Sequence, residues 1–440
     1  MYNYKVVEMN IDSLYGKSVA LIGYGVSNRA LLKYLTENGI YPTVRCPEAV
    51  ELPEGVRGIF GDGYLNLCEE IAFRSPSVHP DKISGNARVY TDCELFLGNE
   101  NAYKIGITGS DGKTTTTTLI GEITKCAGKC AHVCGNIGVP LASVFPKFKR
   151  GDFVACELSS FQLHRAEIPL DCAVVTSISE NHLDYHADMY DYITAKRNIL
   201  KKAKRAVVNY DMRYRDMFTH PEITYFSQND LSGQLSARKD YIYIKNGFIY
   251  YNEKRLFHTK IIKMRGAHNV YNVLGAVGAL YGKIPLESIA SAVSCFSGVE
   301  HRNEETKTLG GVKFINSSAD TSPARTVTTL GSYLGKRVVA IMGGGEKNLD
   351  YSPLREAAKQ LHAAVLLGEN REKIAREISS FTKVITSNDI YEATKIAYTQ
   401  ARPDGYVIFT PASTSFDMFE NYKDRAEKFK DAVSRLDLNA

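Results

Sequence analysis

The chain has 440 residues, of which 44% are hydrophobic and 23% are charged, and its formal net charge is +5. This length and composition are typical of a folded protein of two or three domains and exclude a disordered or fibrous chain. The small, scattered basic excess argues against nucleic acid as a partner, and no apolar run is long enough to cross a membrane.

The nine cysteines are odd in number and scattered, without a CxxC pair. Cys126 and Cys130 lie four positions apart with no matching second pair, so free thiols in a reducing compartment are favoured over a metal cluster. The first ten residues lack the apolar core of a signal peptide. We therefore expect a cytoplasmic protein.

The first of three blocks of alternating strands and helices begins with a strand over residues 17–23 and a helix over 27–37, followed by a strand over 41–45. The turn Gly23-Tyr24-Gly25-Val26-Ser27-Asn28 resembles a dinucleotide fingerprint, but Asn28 replaces the third glycine. Arg45 and Cys46 also stand where an acidic residue would meet the ribose. These departures disfavour NAD, and leave a turn that holds another phosphate or serves packing alone.

The second block begins near Ala102 and carries the sequence Gly109-Ser110-Asp111-Gly112-Lys113-Thr114-Thr115 between a predicted strand and a helix over 115–125. Glycines allow successive N–H groups to face a phosphate, the lysine adds positive charge, and the threonine hydroxyl suits magnesium. The full P-loop spacing would place glycine where Ile107 stands. This stretch predicts a nucleoside triphosphate site, and the alternative is an ordinary glycine turn.

Further along this block, strands are predicted over 152–157 and 172–176, helices over 190–203 and 269–281, and a hairpin around Asn246-Gly247. Glu157 follows a strand, where a carboxylate would reach magnesium, or it caps a helix. His182 lies in a loop and is a metal ligand or a surface residue. By itself, Lys196 on the next helix is most simply a solvated charge.

The third block starts near residue 297, with strands predicted over 312–315, 337–342, 363–367 and 406–409. Arg302 suits a phosphoryl group or an interdomain salt bridge. Lys347, after a triple glycine, belongs to an anion site or to a flexible loop. Ser415 binds a carboxylate or caps a helix. Strands that alternate with helices predict an α/β fold with parallel sheets.

The order of these motifs is more specific than any of them alone. The motifs are the stretch from Gly109 to Thr115, called the glycine loop below, Gly135-Asn136-Ile137-Gly138, Glu-Leu-Ser-Ser-Phe-Gln-Leu, Asn-His-Leu-Asp, a helical lysine, Gly266-Ala267-His268-Asn269-Val270-Tyr271-Asn272, His301-Arg302, Gly-Gly-Gly-Glu-Lys and Ser-Thr-Ser-Phe-Asp. Together, and in this order, they resemble the Mur ligases of peptidoglycan synthesis over nearly the whole chain. The resemblance implies three domains: a Rossmann-like UDP-substrate domain (1–98), a central P-loop ATP-binding domain (99–297) and a Rossmann-like amino-acid-binding domain (298–440).

Within that family, the chain most resembles the member that joins D-glutamate to UDP-N-acetylmuramoyl-L-alanine with ATP, through an acyl phosphate. The resemblance implies that Lys113 holds the phosphates, that Thr114 and Glu157 hold a first magnesium ion, and that His182 and a carbamylated Lys196 hold a second. The other implied contacts are Gly25 and Ser27 with the UDP substrate, Asn136 with its muramoyl part, Asn269 and Asn272 with the adenine side, Arg302 with the transferred phosphoryl group, and Thr321, Lys347, Ser415 and Tyr422 with the amino acid.

The chain departs from the family pattern at two places. Neither Asn316 nor Ser317 is the acid expected near the ATP ribose, and Asp320 is a possible substitute. The acid expected near Arg45 is also absent, which affects uracil recognition. The alternatives are another Mur-type or folylpolyglutamate-type amide ligase with a different acceptor, and a nucleotide-binding protein without turnover.

Overall fold

The structure is a computed structural model that describes residues 9–98, 101–136, 139–183, 185–234, 239–346 and 349–437. The chain divides into two compact units, Met1–Phe296 and Ser297–Ala440. Among the described residues, no helix is both long enough and apolar enough to span a bilayer. The domain limits predicted from the sequence stay predictions.

The first unit begins with a five-stranded parallel sheet of order β3-β2-β1-β5-β7, and β4 and β6 form a small separate pair. The strands are β1 (Val19–Ile22), β2 (Thr43–Cys46), β3 (Gly58–Phe60), β4 (Asn66–Leu67), β5 (Ile71–Arg74), β6 (Ser84–Gly85) and β7 (Arg88–Tyr90). Two helices belong to this part, α1 (Val26–Glu37) and α2 (Asp92–Leu97). Strand β1 and helix α1 confirm the prediction. Helix α2, which begins at a capping box of Thr91 and Glu94, was not predicted.

Asn28 explains why the glycine turn after β1 departs from a dinucleotide fingerprint. The side chain is 1% exposed, and its amide nitrogen donates to the carbonyls of Ile22 and Gly23 at 3.0 and 2.8 Å. Gly23 has φ +80, and a Cβ there would clash with Ser75. At the position of the third glycine, Asn28 therefore stabilises the end of strand β1.

Arg45 is buried in an ion pair instead of ending at a ligand site. Its Nε lies 3.0 Å from Oε1 of Glu69, and the two side chains are 3% and 7% exposed. Its Nη1 also donates to the carbonyl of Asn66 at 3.0 Å. The Arg45 guanidinium is thus a buried structural group of the first sheet.

Glu69→Gln is expected to lower the free energy of unfolding by about 3 kcal/mol, because it leaves the Arg45 charge buried and uncompensated. The matched control is Glu70→Gln, since Glu70 pairs with Lys17 where both side chains are nearly half exposed. That change is expected to cost much less stability, because solvent screens an exposed ion pair. Urea unfolding of the two variants measures the difference, and equal losses would contradict the assignment of a buried pair.

The larger sheet of the first unit has nine strands in the order β18-β17-β16-β15-β14-β12-β8-β10-β9, parallel from β9 to β16. Its strands are β8 (Ala102–Thr108), β9 (Ala131–Gly135), β10 (Asp152–Glu157), β12 (Cys172–Val175), β14 (Ala206–Asn209), β15 (Ile223–Phe226), β16 (Asp240–Lys245), β17 (Phe248–Tyr251) and β18 (Lys254–His258), while β11 (Pro169–Leu170) and β13 (Lys202–Ala203) pair separately. The helices are α3 (Lys113–Cys126), α4 (Leu141–Val144), α5 (Ser160–Leu163), α6 (Met189–Arg197), α7 (Ala267–Leu280) and α8 (Leu286–Cys295).

The hairpin at Asn246-Gly247 is confirmed, with Lys245 opposite Phe248. The predicted helix over 190–203 is wrong at its end, because α6 stops at Arg197 and is followed by a 3₁₀ turn and β13. Strands β9, β14 and β15 and helix α8 were not predicted. Strand β8 lies between β10 and β12, which places the glycine loop at the carboxyl edge of a parallel sheet, where α/β proteins bind ligands.

The second unit holds a six-stranded sheet of order β19-β20-β24-β21-β22-β23, antiparallel only between β19 and β20. The strands are β19 (Glu304–Leu309), β20 (Val312–Asn316), β21 (Val338–Met342), β22 (Ala363–Leu366), β23 (Lys383–Thr386) and β24 (Tyr406–Phe409). The helices are α9 (Pro323–Gly331), α10 (Leu354–Ala358), α11 (Arg371–Ile378), α12 (Ile390–Ala401) and α13 (Tyr422–Ser434). The four predicted strands are confirmed, and β19 and β23 are additional.

Candidate active site

The glycine loop between β8 and α3 is confirmed as a strand–loop–helix unit. Gly109 has φ +151 and Gly112 has φ +81, which L residues rarely adopt. A Cβ at Gly109 would overlap Thr176, and one at Gly112 would overlap the amide oxygen of Asn272. Both glycines are therefore required by backbone angle and by space.

The loop is fixed by the segment that follows the neighbouring strand β12 and by α6. Ser110 N donates to the Ser177 carbonyl at 2.7 Å, and Asp111 N donates to the Ser177 hydroxyl at 2.9 Å. The Ser110 hydroxyl donates to the Ser179 carbonyl at 2.9 Å and lies 2.8 Å from the Tyr192 hydroxyl. The Asp111 side chain itself is exposed. Tyr192, which the sequence analysis did not identify, holds the loop in place.

Two lysines meet at one carbonyl of this loop. Lys113 Nζ donates to the carbonyls of Gly109 and Ser110 at 2.8 and 3.0 Å, and Lys196 Nζ donates to the same Gly109 carbonyl at 2.8 Å. Lys196 is 1% exposed, and its ammonium lies 4.8 Å from the ring centroid of Tyr192. Burial, with the nearby Lys113 charge, lowers the pKa of Lys196 well below its usual value.

An oxygen cluster lies beside the first turn of α3. The Thr114 hydroxyl donates to Oε2 of Glu157 at 2.7 Å, and Asn136 Nδ2 donates to Oε1 at 2.9 Å. Glu157 ends β10 and is 2% exposed. The predicted neighbours Thr114, Asn136 and Glu157 are thus brought together, and hard oxygen ligands of this kind suit magnesium.

The start of α7 contacts the same loop. Asn272 Oδ1 accepts from the Thr116 hydroxyl at 3.4 Å, and Asn272 Nδ2 donates to Asn269 Oδ1 at 2.9 Å. Asn269 Nδ2 donates in turn to the Arg265 carbonyl at 2.6 Å. Thr115 is partly buried in the first turn of α3. Asn272 therefore borders the first turn of α3, with Asn269 bonded to it, and the contact of both with the adenine side stays a prediction.

His182 is exposed, with φ +57. Its ring centroid lies 4.8 Å from that of Phe161 and 6.5 Å from that of Tyr192. Because the Tyr192 hydroxyl contacts Ser110, His182 stands one side chain away from the glycine loop. In the first sheet, Gly25 is exposed at the start of α1, and Ser27 is partly buried in its first turn.

In the second unit, Arg302 is partly exposed, and its charge acts on the carboxyl of Asp320. Asp320 is 7% exposed and accepts from the Thr329 and Thr410 hydroxyls at 2.7 and 2.9 Å, and burial raises its pKa. This placement inside the unit argues against a ribose contact by Asp320. Ser317, at the position of the missing acid, accepts from the Asn303 N–H at 2.7 Å.

Arg425 joins the segments that carry three predicted site residues. It is 1% exposed and donates to the carbonyls of Ser413, Thr414 and Ser318 at 3.1, 2.8 and 2.9 Å. Thr321 and Ser415 lie close by in the same segments, and Tyr422 begins α13, the helix of Arg425; Lys347 lies outside the described residues. Burial lowers the pKa of Arg425 to about 10, so it stays charged at neutral pH.

The Mur ligase middle domain is the family model that matches, over residues 107–280. The chain is similar to UDP-N-acetylmuramoylalanine--D-glutamate ligases of Clostridium tetani, at 35% identity over 96% of this chain and 98% of the relative, and of Clostridium perfringens, at 34% over 96% and 97%.

Two solved structures of Thermotoga maritima share the fold at 15% identity. One is UDP-N-acetylmuramate-alanine ligase MurC, with a TM-score of 0.59 over 95% of this chain and 99% of that one. The other is MurF ligase in complex with ADP, with a TM-score of 0.60 over 97% and 98%. The predicted α/β fold with three mainly parallel sheets is confirmed. With relatives above 30% identity along almost its entire length, the chain belongs to the Mur ligase family.

Proposed function

We propose that this chain is an ATP-dependent ligase that joins D-glutamate to UDP-N-acetylmuramoyl-L-alanine. The observation that carries the proposal is the glycine loop with Thr114 hydrogen-bonded to Glu157, in a chain similar over its whole length to D-glutamate ligases. The substrates are small anions, which suits the mild positive charge. The cytoplasmic location stays a prediction.

A carboxylate resists attack by an amine because its oxygen is a poor leaving group. In the proposed reaction, a carboxylate oxygen of the alanyl group attacks the γ-phosphorus of ATP and releases ADP. The amine of D-glutamate then attacks the carbonyl carbon of the acyl phosphate, and the tetrahedral intermediate expels phosphate and loses a proton to give the amide. Each ATP yields one amide, one ADP and one phosphate.

The central segment, proposed as residues 99–297, supplies the phosphate site. Backbone N–H groups from Gly112 to Thr115, at the start of α3, suit an anion, because helix N-termini and nests carry partial positive charge. When ATP binds, Lys113 Nζ would leave the Gly109 and Ser110 carbonyls and contact the β- and γ-phosphates instead. Asn269 and Asn272 would border the adenine side.

Thr114 and Glu157 fit a first magnesium ion, because both offer oxygen atoms and the carboxylate is already oriented by Asn136. Bound there, magnesium would neutralise charge on the transferred phosphoryl group. A second ion is proposed at His182 and Lys196. The lowered pKa of Lys196 supports its carbamylation, because only an unprotonated amine adds carbon dioxide, and the product is an anion.

The segment proposed as residues 298–440 would bind D-glutamate through Thr321, Lys347, Ser415 and Tyr422, and would supply Arg302 to the phosphoryl group. Residues 1–98 would hold the uridine nucleotide at the turn with Gly25 and Ser27, and Asn136 would contact the muramoyl part. Because Arg45 is paired internally with Glu69, uracil recognition there would depend on backbone groups of the turn.

Arg425→Lys is expected to raise the KM for D-glutamate about tenfold and to lower the free energy of unfolding by about 2 kcal/mol, because one ammonium cannot replace a guanidinium that reaches several carbonyls. The KM for ATP is expected to stay unchanged. The matched control is the exposed Arg435→Lys, which pairs with Asp431. Steady-state kinetics with each substrate varied measures the effect. An unchanged KM for D-glutamate would remove Arg425 from the support of that site.

Phosphate release from ATP in the presence of UDP-N-acetylmuramoyl-L-alanine tests the proposal, with D-glutamate, L-glutamate, L-lysine and diaminopimelate as acceptors. Release with D-glutamate alone is expected. Release with another acceptor would identify a different amide ligase. ATP binding without release for any acceptor would indicate a nucleotide-binding protein without turnover.

A further inference from the structure

Three metal-ligating side chains converge in the first unit outside the proposed ATP site. Those of His79, His164 and Asp191 each offer a ligand atom, and the three atoms lie within 4.8 Å of one another. His164 Nε2 is 3.4 Å from Asp191 Oδ1, and the rings of His79 and His164 are nearly perpendicular with centroids 4.8 Å apart. The residues come from three separate segments: the loop after β5, the residue after α5, and the first turn of α6.

His164 also has a buried ring nitrogen other than the Nε2 atom that faces Asp191. The residue is 7% exposed, and within the part of the chain that the structure describes its Nδ1 is buried without a hydrogen-bond partner. Buried polar atoms are nearly always paired in folded proteins, so such an atom needs an explanation.

The Asp191 carboxylate is held in place by a second histidine outside the group. Asp191 Oδ2 lies 2.9 Å from Nδ1 of His186, and Nε2 of His186 lies 3.0 Å from the Ser160 hydroxyl. His186 is 2% exposed, so this chain of contacts is fixed by packing. Supporting hydrogen bonds of this kind are typical of ligands in metal sites, where they hold the coordinating oxygen in position.

We propose that His79, His164 and Asp191 hold a divalent transition-metal ion of the zinc class, independently of the proposed ligase activity. Two imidazole nitrogens and one carboxylate oxygen suit Zn²⁺ or Co²⁺, whereas Mg²⁺ prefers oxygen ligands and water. The ion would bridge the loop after β5 to α6 and so tie a connection of the first sheet to the second sheet of the same unit.

A second group, Cys130, His132 and Asp152, also has ligand atoms close together. Its His132 Nε2 is already hydrogen-bonded to Asp152 Oδ2 at 2.8 Å, and the Cys130 thiol is exposed. None of its side-chain atoms is among the buried atoms without a partner. This group therefore serves as an internal control for the proposed site.

The experiment measures zinc bound to the full-length protein. Chelator-stripped protein is dialysed against micromolar Zn²⁺ with millimolar Mg²⁺, which competes for oxygen sites, and bound zinc is measured by mass spectrometry. The variants are His79→Asn and His164→Gln. Asparagine at 79 can still accept the Asp81 N–H that His79 Nδ1 accepts at 3.2 Å, so the local turn is retained. Circular dichroism checks that each variant is folded.

The expected result is that both variants bind one zinc ion fewer per chain than the unchanged protein and lose a Co²⁺ absorption band. His132→Ala is expected to bind as much zinc as the unchanged protein. Zinc retained by both folded variants, or lost only in His132→Ala, would overturn the proposal. The absence of zinc binding by the unchanged protein would overturn it as well, whatever the outcome of the ligase assay.

Discussion

Lys113→Ala is expected to lower the rate of ATP-dependent amide formation by a factor on the order of 10²–10³ or more, the size of effect that follows loss of one preorganised charge-stabilising group. Lys113 Nζ is held at the Gly109 and Ser110 carbonyls, at the mouth of the loop. Phosphoryl transfer depends on neutralising charge on the phosphate oxygens, and alanine removes a cation held at the proposed phosphate site. The rate of phosphate release at saturating substrates measures the effect.

The control for this change is Lys125→Ala. Lys125 lies in the last turn of the same helix, is exposed, and pairs with Glu122 at 2.8 Å. Its loss removes the same charge from α3 without touching the loop, so the rate is expected to stay near that of the unchanged protein. Equal rates for Lys113→Ala and the unchanged protein would contradict the proposed ligase mechanism.

Glu157→Gln is expected to raise the magnesium concentration needed for half-maximal rate at least tenfold and to lower turnover on the order of 10²-fold, because a ligand carboxylate loses its charge. Glutamine has nearly the same shape and can still accept from the Thr114 hydroxyl. The substitution removes a buried charge but places an NH2 group opposite the Asn136 Nδ2 donor, so these two effects oppose each other and the unfolding midpoint is expected to change little. Magnesium titration of phosphate release and thermal unfolding measure the two effects.

Glu122→Gln removes one negative charge from the exposed face of α3 and serves as the control. It is expected to leave the magnesium dependence unchanged. A normal magnesium requirement in Glu157→Gln, or a matching shift in Glu122→Gln, would exclude Glu157 as a metal ligand.

The glycine loop and its surroundings were predictable because their signals are local in the sequence. Gly109 and Gly112 precede a helix, and Glu157 follows a strand of the same parallel sheet, so the carboxyl edges bring them together. The proximity of Thr114 and Glu157 then follows from topology, whereas the contact of Asn136 with Glu157 is seen only in the structure. Helix ends were less predictable: residues 198–203 contain no glycine or proline, although the chain turns there into a short strand.

Residues that act through distant contacts were missed. Arg425 lies in a helix of ordinary amphipathic pattern, and only the tertiary structure shows that it binds carbonyls more than a hundred positions away, at Ser318. Similarly, the sequence around Tyr192 is typical of an aromatic residue of the core, although the Tyr192 hydroxyl is hydrogen-bonded to the Ser110 hydroxyl. The proposed metal ligands His79, His164 and Asp191 are separated by 85 and 27 positions in the sequence. No sequence spacing therefore indicated that they lie together.

The most direct test of the proposed reaction is isotope transfer. UDP-N-acetylmuramoyl-L-alanine with ¹⁸O in its alanyl carboxylate is incubated with the protein, ATP and D-glutamate, and the released phosphate is analysed by mass spectrometry. An acyl-phosphate route predicts that one labelled oxygen passes to each phosphate and the other stays in the amide. Phosphate without label, released together with amide, would contradict activation of the carboxylate by phosphorylation.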